Sequence, residues 1–167
     1  ANSFGNLAQR TLSMIAKNCG GKVPEPGALT ETDEGLLAAA QMLIDRVRDA
    51  IDAQAFHEAL EAMWTVVRAA NGYVDAQAPW KLAKEDSGRM GTVLYVLAET
   101  IRHLALLTQP FMPDSSANLL DQLAVPDDAR TFASLGPDHA LAAGTQLPQP
   151  EGVFPRFQEE EKGGEGE

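Results

Sequence analysis

The sequence predicts an all-α fold, an antiparallel helix bundle. Apolar residues recur every three or four positions through four long segments, and no stretch alternates with the period of two that a half-buried strand requires. Glycine and proline punctuate the segments at short intervals, as they do at helix ends. A chain of 167 residues fits one domain and is long enough to bury a core.

In the first segment Phe4, Leu7, Ala8, Leu12, Ile15 and Cys19 share one helical face. Ser3, Asn6, Arg10, Ser13 and Lys17 form the opposite, polar face. Gly20-Gly21 ends this helix. Lys22 to Leu29, with Pro24, Pro26 and Gly27, reads as a loop. Thr30 can cap the next helix, with Glu31, Asp33 and Glu34 at the positive end of its dipole. That helix runs to about Ile51 with Leu36, Ala40, Leu43, Val47 and Ile51 inward, joined by Leu37 and Ile44. A third helix, from about Ala53 to Gln77, repeats Phe56, Leu60, Met63, Val67, Ala70 and Val74 in the steps of a bundle seam. Gly72 inside it costs about 1 kcal/mol relative to alanine, which a close contact with a neighbouring helix would explain.

Pro79 suits the first position of a short helix, which sets Trp80 at a helix entrance. After Asp86-Ser87-Gly88, a fourth long helix carries Met90, Val93, Leu97, Ile101 and Leu104 and stops at Pro110. Pro113 opens a shorter helix with Leu119, Leu120 and Leu123. Beyond Val125 the prolines permit only turns, while Phe132, Leu135, Leu141 and Phe154 mark a segment that wraps a surface. The expected organisation is a bundle over 1–123, an irregular packed segment over 124–157, and a mobile acidic tail over 158–167.

A formal charge of −11 argues against broad nucleic-acid affinity, since phosphate contacts need Lys and Arg. Residues 159–167 account for −4 of it, and a confined basic and aromatic patch can still read RNA on an acidic protein. No uninterrupted apolar run approaches the roughly 18 residues of a membrane span. One cysteine, Cys19, excludes an internal disulfide and a multi-cysteine zinc site, and reads as a small residue near a helix end. A lone thiol without an export signal points to the cytoplasm. The opening on Ala1, already in helical pattern, is that of a piece of a longer protein.

His57 with Glu61, and Glu99 with His103, are spaced to share a metal on one helix face. A bundle di-metal site uses Glu-x-x-His pairs and further glutamates, and no Glu-x-x-His occurs. Both pairs therefore read as exposed polar pairs four residues apart, and no metal site is expected. There is no glycine-rich phosphate loop, Gly-x-Ser-x-Gly or His-Glu-x-x-His, so nothing marks the chain as catalytic by itself.

Several motifs occur in a specific order: Gly5-Asn6-Leu7-x-x-Arg10, Ala59-Leu60-x-x-x-Trp64, Asn71-x-Tyr73 and Pro79-Trp80-x-Leu82-Ala83-Lys84. Leu97-x-Glu99-x-x-Arg102, Pro110-Phe111-Met112-Pro113 and Val153-Phe154-Pro155-Arg156-Phe157 follow. Together they resemble the anticodon-binding domain of methionyl-tRNA synthetases over nearly the whole chain. The catalytic signatures of that family are absent. The resemblance departs mildly at Ser3-Phe4, Val153 and Phe157.

On periodicity alone Asn6 and Arg10 are an ordinary solvated face, and Trp80 is a bundle-end core residue. The resemblance instead implies that Asn6 and Arg10 face the anticodon loop and that Trp80, after Pro79, stacks on an anticodon base. It implies CAU of methionine tRNA as the sequence read. Lys17, Lys81, Lys84 and Arg89 are candidate phosphate contacts, Trp64 a core residue, and Asn71 and Tyr73 packing or capping groups. The implied partners are the tRNA and a catalytic domain outside this chain, to which ATP and any zinc would belong. No cofactor is expected in this domain, no membrane contact, and a monomer. Leucyl, isoleucyl, valyl and cysteinyl synthetases share such bundles, but Pro-Trp-x-Leu-Ala-Lys favours methionyl. The rival reading is a helical protein-interaction scaffold.

Overall fold

Among the described residues six α-helices form where the apolar period is helical: α1 (Asn2–Asn18), α2 (Glu31–Asp52), α3 (Phe56–Gln77), α4 (Pro79–Glu85), α5 (Ser87–Thr108) and α6 (Pro113–Gln122). Three single 3-10 turns follow, Asp127–Ala129, Phe132–Ser134 and Pro137–His139. The structure, a computed structural model, describes residues 2–154. Among them no strand occurs; the one extended pairing is an isolated antiparallel bridge between Lys22 and Gln146. The expected tail, and Pro155-Arg156-Phe157, lie outside the described residues.

The helix ends follow local chemistry. Gly20 and Gly21 adopt φ of 61° and 70°, a left-handed region that glycine enters without Cβ strain, and turn the chain after α1. At α2 the Thr30 hydroxyl accepts the Asp33 N–H while the Asp33 carboxylate accepts the Thr30 N–H at 2.9 Å, a reciprocal capping box. α3 and α4 share a single capping residue, Ala78, in left-handed conformation at φ 46° and ψ 61°.

α5 is the centre, touching α1, α2, α3, α4 and α6. From Met90 to Thr108 only Tyr95 escapes full burial. Among the described residues it is the one helix long and apolar enough to cross a membrane by length and composition, which refines the expectation of no such run. Its apolar window is 94% buried inside the bundle, so that apolarity belongs to a core helix.

A helix buried on every side must satisfy its polar groups internally. Arg102, 1% exposed, donates from Nε to Glu99 Oε2 at 3.0 Å, and from its guanidinium nitrogens to the Ser134 and Gly136 carbonyls at 2.7 and 3.2 Å. The Leu141 N–H donates to Glu99 Oε2 at 3.0 Å, and the Tyr95 hydroxyl to the Leu141 carbonyl at 2.9 Å. One buried ion pair thus holds the irregular segment onto the bundle. Glu99 and His103 are buried, which corrects the expectation of an exposed pair; His57–Glu61, at 3.3 Å, is exposed as expected. His103 Nδ1 lies 2.9 Å from the Glu99 carbonyl and Nε2 has no partner. Burial pushes the His103 pKa below the ordinary histidine value, against the raising influence of Glu99.

Two expectations about α3 are corrected. Met63, Val67, Ala70 and Val74 are fully buried, but Leu60 is only half-buried and Phe56 is 53% exposed. Ala59 and Ala62 occupy the buried face instead, on a helix that packs against α2. Gly72 meets no close contact, since a Cβ there would have nothing within 4 Å. The glycine that packing does require is Gly5, where a Cβ would stand 2.7 Å from the Phe154 ring. The returning segment seats Phe154 against Phe4, ring centroids 5.7 Å apart.

Met63→Ala should destabilise the fold by about 2–5 kcal/mol and half-buried Leu60→Ala by less, compared by urea denaturation. His103 adds a pH dependence. Its folded pKa lies below the unfolded value of about 6.5, so its contribution is present above that pH and lost as pH falls towards the folded value. Melting curves from pH 8 to 5.5 should show a loss of stability that His103→Gln reduces.

Candidate nucleic-acid interface

The polar face of α1 faces the solvent, as its spacing requires. Ser3, Asn6, Gln9, Arg10 and Ser13 line one wall of an open cleft of about 570 Å³. Arg68 and Asn71, three apart on the exposed side of α3, form the other wall. Asn71 is held there by its amide, which donates to the Val67 carbonyl at 3.1 Å and to the Ser3 carbonyl at 3.4 Å.

At the cleft's end Arg10 joins three elements. Its guanidinium carbon lies 5.7 Å from the centroid of the Trp80 ring on α4, within cation–π range. Its Nη2 lies 3.4 Å from Asp75 Oδ1 on α3, with both side chains exposed. Trp80 is 46% exposed, while Pro79 beneath it is buried. The core alternative for Trp80 is thereby set aside. Asn6, Arg10 and Trp80, distant in sequence, come together on one surface.

The remaining candidates divide. Lys17, Lys81 and Lys84 are exposed and make no ion pair among the described residues. Arg89 has another task and leaves the phosphate-contact set. It donates to Asp33 Oδ1 and to Gln77 Oε1, each at 2.8 Å, and also pairs with Asp33 Oδ2. Tyr73, buried, donates its hydroxyl to the same carboxylate at 2.6 Å. Burial would raise the Asp33 pKa, but Arg89, Tyr73 and the Thr30 N–H outweigh it and hold the carboxyl well below the usual range. Burial, then Asp33, pushes the Tyr73 phenol far above its ordinary value, and Asp33 raises that of Arg89. Trp64 is half-buried, edge-on to Phe4 at 6.3 Å.

Sequence reasoning missed Arg68. The signal was present: Arg68, Asn71 and Asp75 are spaced by three and four on the polar side of α3, directly across from the α1 stripe. The assembled surface offers a half-exposed indole, two guanidiniums, and amides that can both donate and accept. Those groups suit unpaired bases, which are read by stacking and by hydrogen bonds to their edges. Among the described residues no group of three His, Cys, Asp or Glu side chains is placed to hold a metal.

The fold belongs with the helical anticodon-binding domains of aminoacyl-tRNA synthetases. It superimposes on the apo methionyl-tRNA synthetase of Mycobacterium tuberculosis with a TM-score of 0.91 and 50% identity, over 95% of this chain and 32% of that one. The same enzyme with methionyl-adenylate gives 0.90 over 93% and 31%. More narrowly, the chain belongs to the family described as the anticodon binding domain of methionyl tRNA ligase, whose sequence model matches residues 23–165. Methionine–tRNA ligases of Brucella suis and Mycobacterium tuberculosis are 54% and 50% identical over 95% of this chain. The chain spans 31% of the length of each. Trp80 lies inside the stretch matched by the family model, whereas Asn6 and Arg10 precede it.

The exposed Arg10–Asp75 pair should contribute little to stability. Asp75→Asn is expected to shift unfolding free energy by no more than about 1 kcal/mol. Trp80→Ala should cost clearly less than the roughly 3–5 kcal/mol of a buried tryptophan. Chemical denaturation of both variants measures this.

Proposed function

We propose that this chain reads the CAU anticodon loop of methionine tRNA through Asn6, Arg10, Pro79 and Trp80. It does so as part of a methionine–tRNA ligase whose catalytic domain lies outside it. The observation that carries the reading is the approach of the Arg10 guanidinium to a half-exposed Trp80 at the end of a polar cleft containing Asn6. Family membership supplies the class of RNA.

Each residue has a distinct task. The Trp80 indole offers a stacking face for an unpaired base, and Pro79 fixes where the ring leaves the chain. The Arg10 guanidinium, oriented by the indole, can donate two parallel hydrogen bonds to a base edge or phosphate. Asn6 offers a donor and an acceptor on one amide, which discriminates between base edges without charge. Arg68, from the opposite wall, supplies a cation for the loop backbone, and the exposed Lys17, Lys81 and Lys84 are further candidates. On this reading the domain is a cytoplasmic monomer module, its other partner the catalytic part of the same enzyme. ATP and any zinc belong to that part.

The test is titration of labelled CAU stem-loops at two ionic strengths. Trp80→Ala should weaken binding by about 1–3 kcal/mol. Arg10→Gln should weaken it and flatten its salt dependence, because a cation is lost. Asn6→Ala should relax base discrimination while leaving the salt slope unchanged. If a folded Asn6→Ala, Arg10→Gln double variant still selects CAU, the assignment is wrong.

A further inference from the structure

Trp80 rides on a helix of seven residues, too short to hold its own direction in water. Residues 78–88 make a short excursion from the end of α3 to the first turn of α5, with α4 packed on α5 and Leu82 and Ala83 against the core. No spacer separates α3 from α4, because Ala78 caps both in left-handed conformation. Packing on α5 seats one face of α4, and how the two ends of this excursion are fastened fixes the rest of its angle, and with it the indole.

Both ends are fastened to one residue. Arg89, at the re-entry, donates from Nη2 to Gln77 Oε1 at 2.8 Å, and Gln77 is the last residue of α3. The backbone N–H of Arg89 donates to Asp86 Oδ1 at 3.0 Å, which caps α5. The guanidinium is itself held by the fully buried Asp33 carboxylate, which also takes the Tyr73 hydroxyl and closes the capping box at Thr30. Asp33 thus ties α2, α3 and α5 together at the root of the excursion. The planar guanidinium matches a bidentate carboxylate and leaves a further N–H for Gln77, a fork that lysine could not reproduce.

We propose that Gln77, Arg89 and Asp33 are positioning residues for Trp80: they clamp the base of the 78–88 excursion so that the indole is presented beside Arg10 before RNA arrives. None of the three needs to touch RNA. The proposal rests on the reading of Trp80 as a stacking platform. Pre-arranging the ring lowers the ordering cost of binding.

Gln77 is the informative position, since it is half-buried at the edge of the network and its loss strands no buried charge. The sequence has two tryptophans, so a Trp64→Phe background makes Trp80 the sole fluorophore. In that background, Gln77→Leu should lower the fluorescence anisotropy of Trp80 well below the melting temperature. It should also weaken CAU stem-loop binding by about 2- to 12-fold, the worth of one hydrogen bond. Gln77→Glu keeps an acceptor for Arg89 and should restore the anisotropy. Val67→Ala, which destabilises the core away from the clamp, should leave both readouts unchanged at that temperature. The proposal is overturned if Gln77→Leu keeps wild-type anisotropy and affinity while Trp80→Ala still weakens binding. If Trp80→Ala itself binds like wild type, the stacking reading has failed and the positioning role falls with it.

Discussion

A helix with no solvent-facing side must find internal partners for every polar group it carries, and α5 carries Glu99, Arg102 and His103 near its middle. Taking the Glu99 and Arg102 charges out of water is offset only by close pairing and by hydrogen bonds to the remaining valences. Those hydrogen bonds come from Leu141, Ser134 and Gly136. The irregular segment is therefore no passive cover. It completes the solvation of the central helix, and the helix in return gives a strand-free, turn-rich stretch one defined path. Without it this face of α5 would open to water, and Glu99 and Arg102 would lose their partners at Leu141, Ser134 and Gly136.

A second buried charge organises the opposite part of the molecule. Asp33 begins as a helix-capping residue and ends as the acceptor for Tyr73 and Arg89, on two other helices. The two centres divide the work. Glu99–Arg102 fixes the scaffold and its wrapping segment, while Asp33–Arg89 lies at the root of the short helix that carries Trp80. The surface that follows is hydrogen-bonded at its root and exposed at Trp80 and Arg10. It is also local: on an acidic protein, Arg10 and Arg68 face one cleft, with Asp75 beside Arg10 to moderate the charge.

Much of this was legible in the sequence, for reasons that also explain the rest. Helix ends followed from Gly20-Gly21, Thr30, Pro79 and Pro113, whose chemistry acts within a few residues. The polar stripe of α1 was legible because exposure of Asn6 and Arg10 depends only on helical period. The inner face of α3 was misjudged at Phe56 and Leu60 because size was weighed above fit. Alanines at 59 and 62 are weak hydrophobic signals but are the side chains that are buried. Glu99 and His103 looked like surface because the turns that partner Glu99 and the neighbouring Arg102 lie more than 30 residues on. Arg89 was misassigned for the same reason, its acceptor Asp33 being 56 residues earlier. Long-range pairing of charges leaves no periodic trace. Arg68 was different, since its spacing with Asn71 and Asp75 was there to be read.

The central claim is that this surface recognises one anticodon rather than RNA in general. The most direct measurement is the affinity of the unaltered chain for a CAU anticodon stem-loop against the same stem-loop with a single anticodon base replaced, at fixed salt. A site that reads base edges by directed hydrogen bonds predicts a preference for CAU of about tenfold or more. Equal affinity for both, falling together as salt is raised, would show a backbone-binding surface without anticodon recognition and would contradict the account.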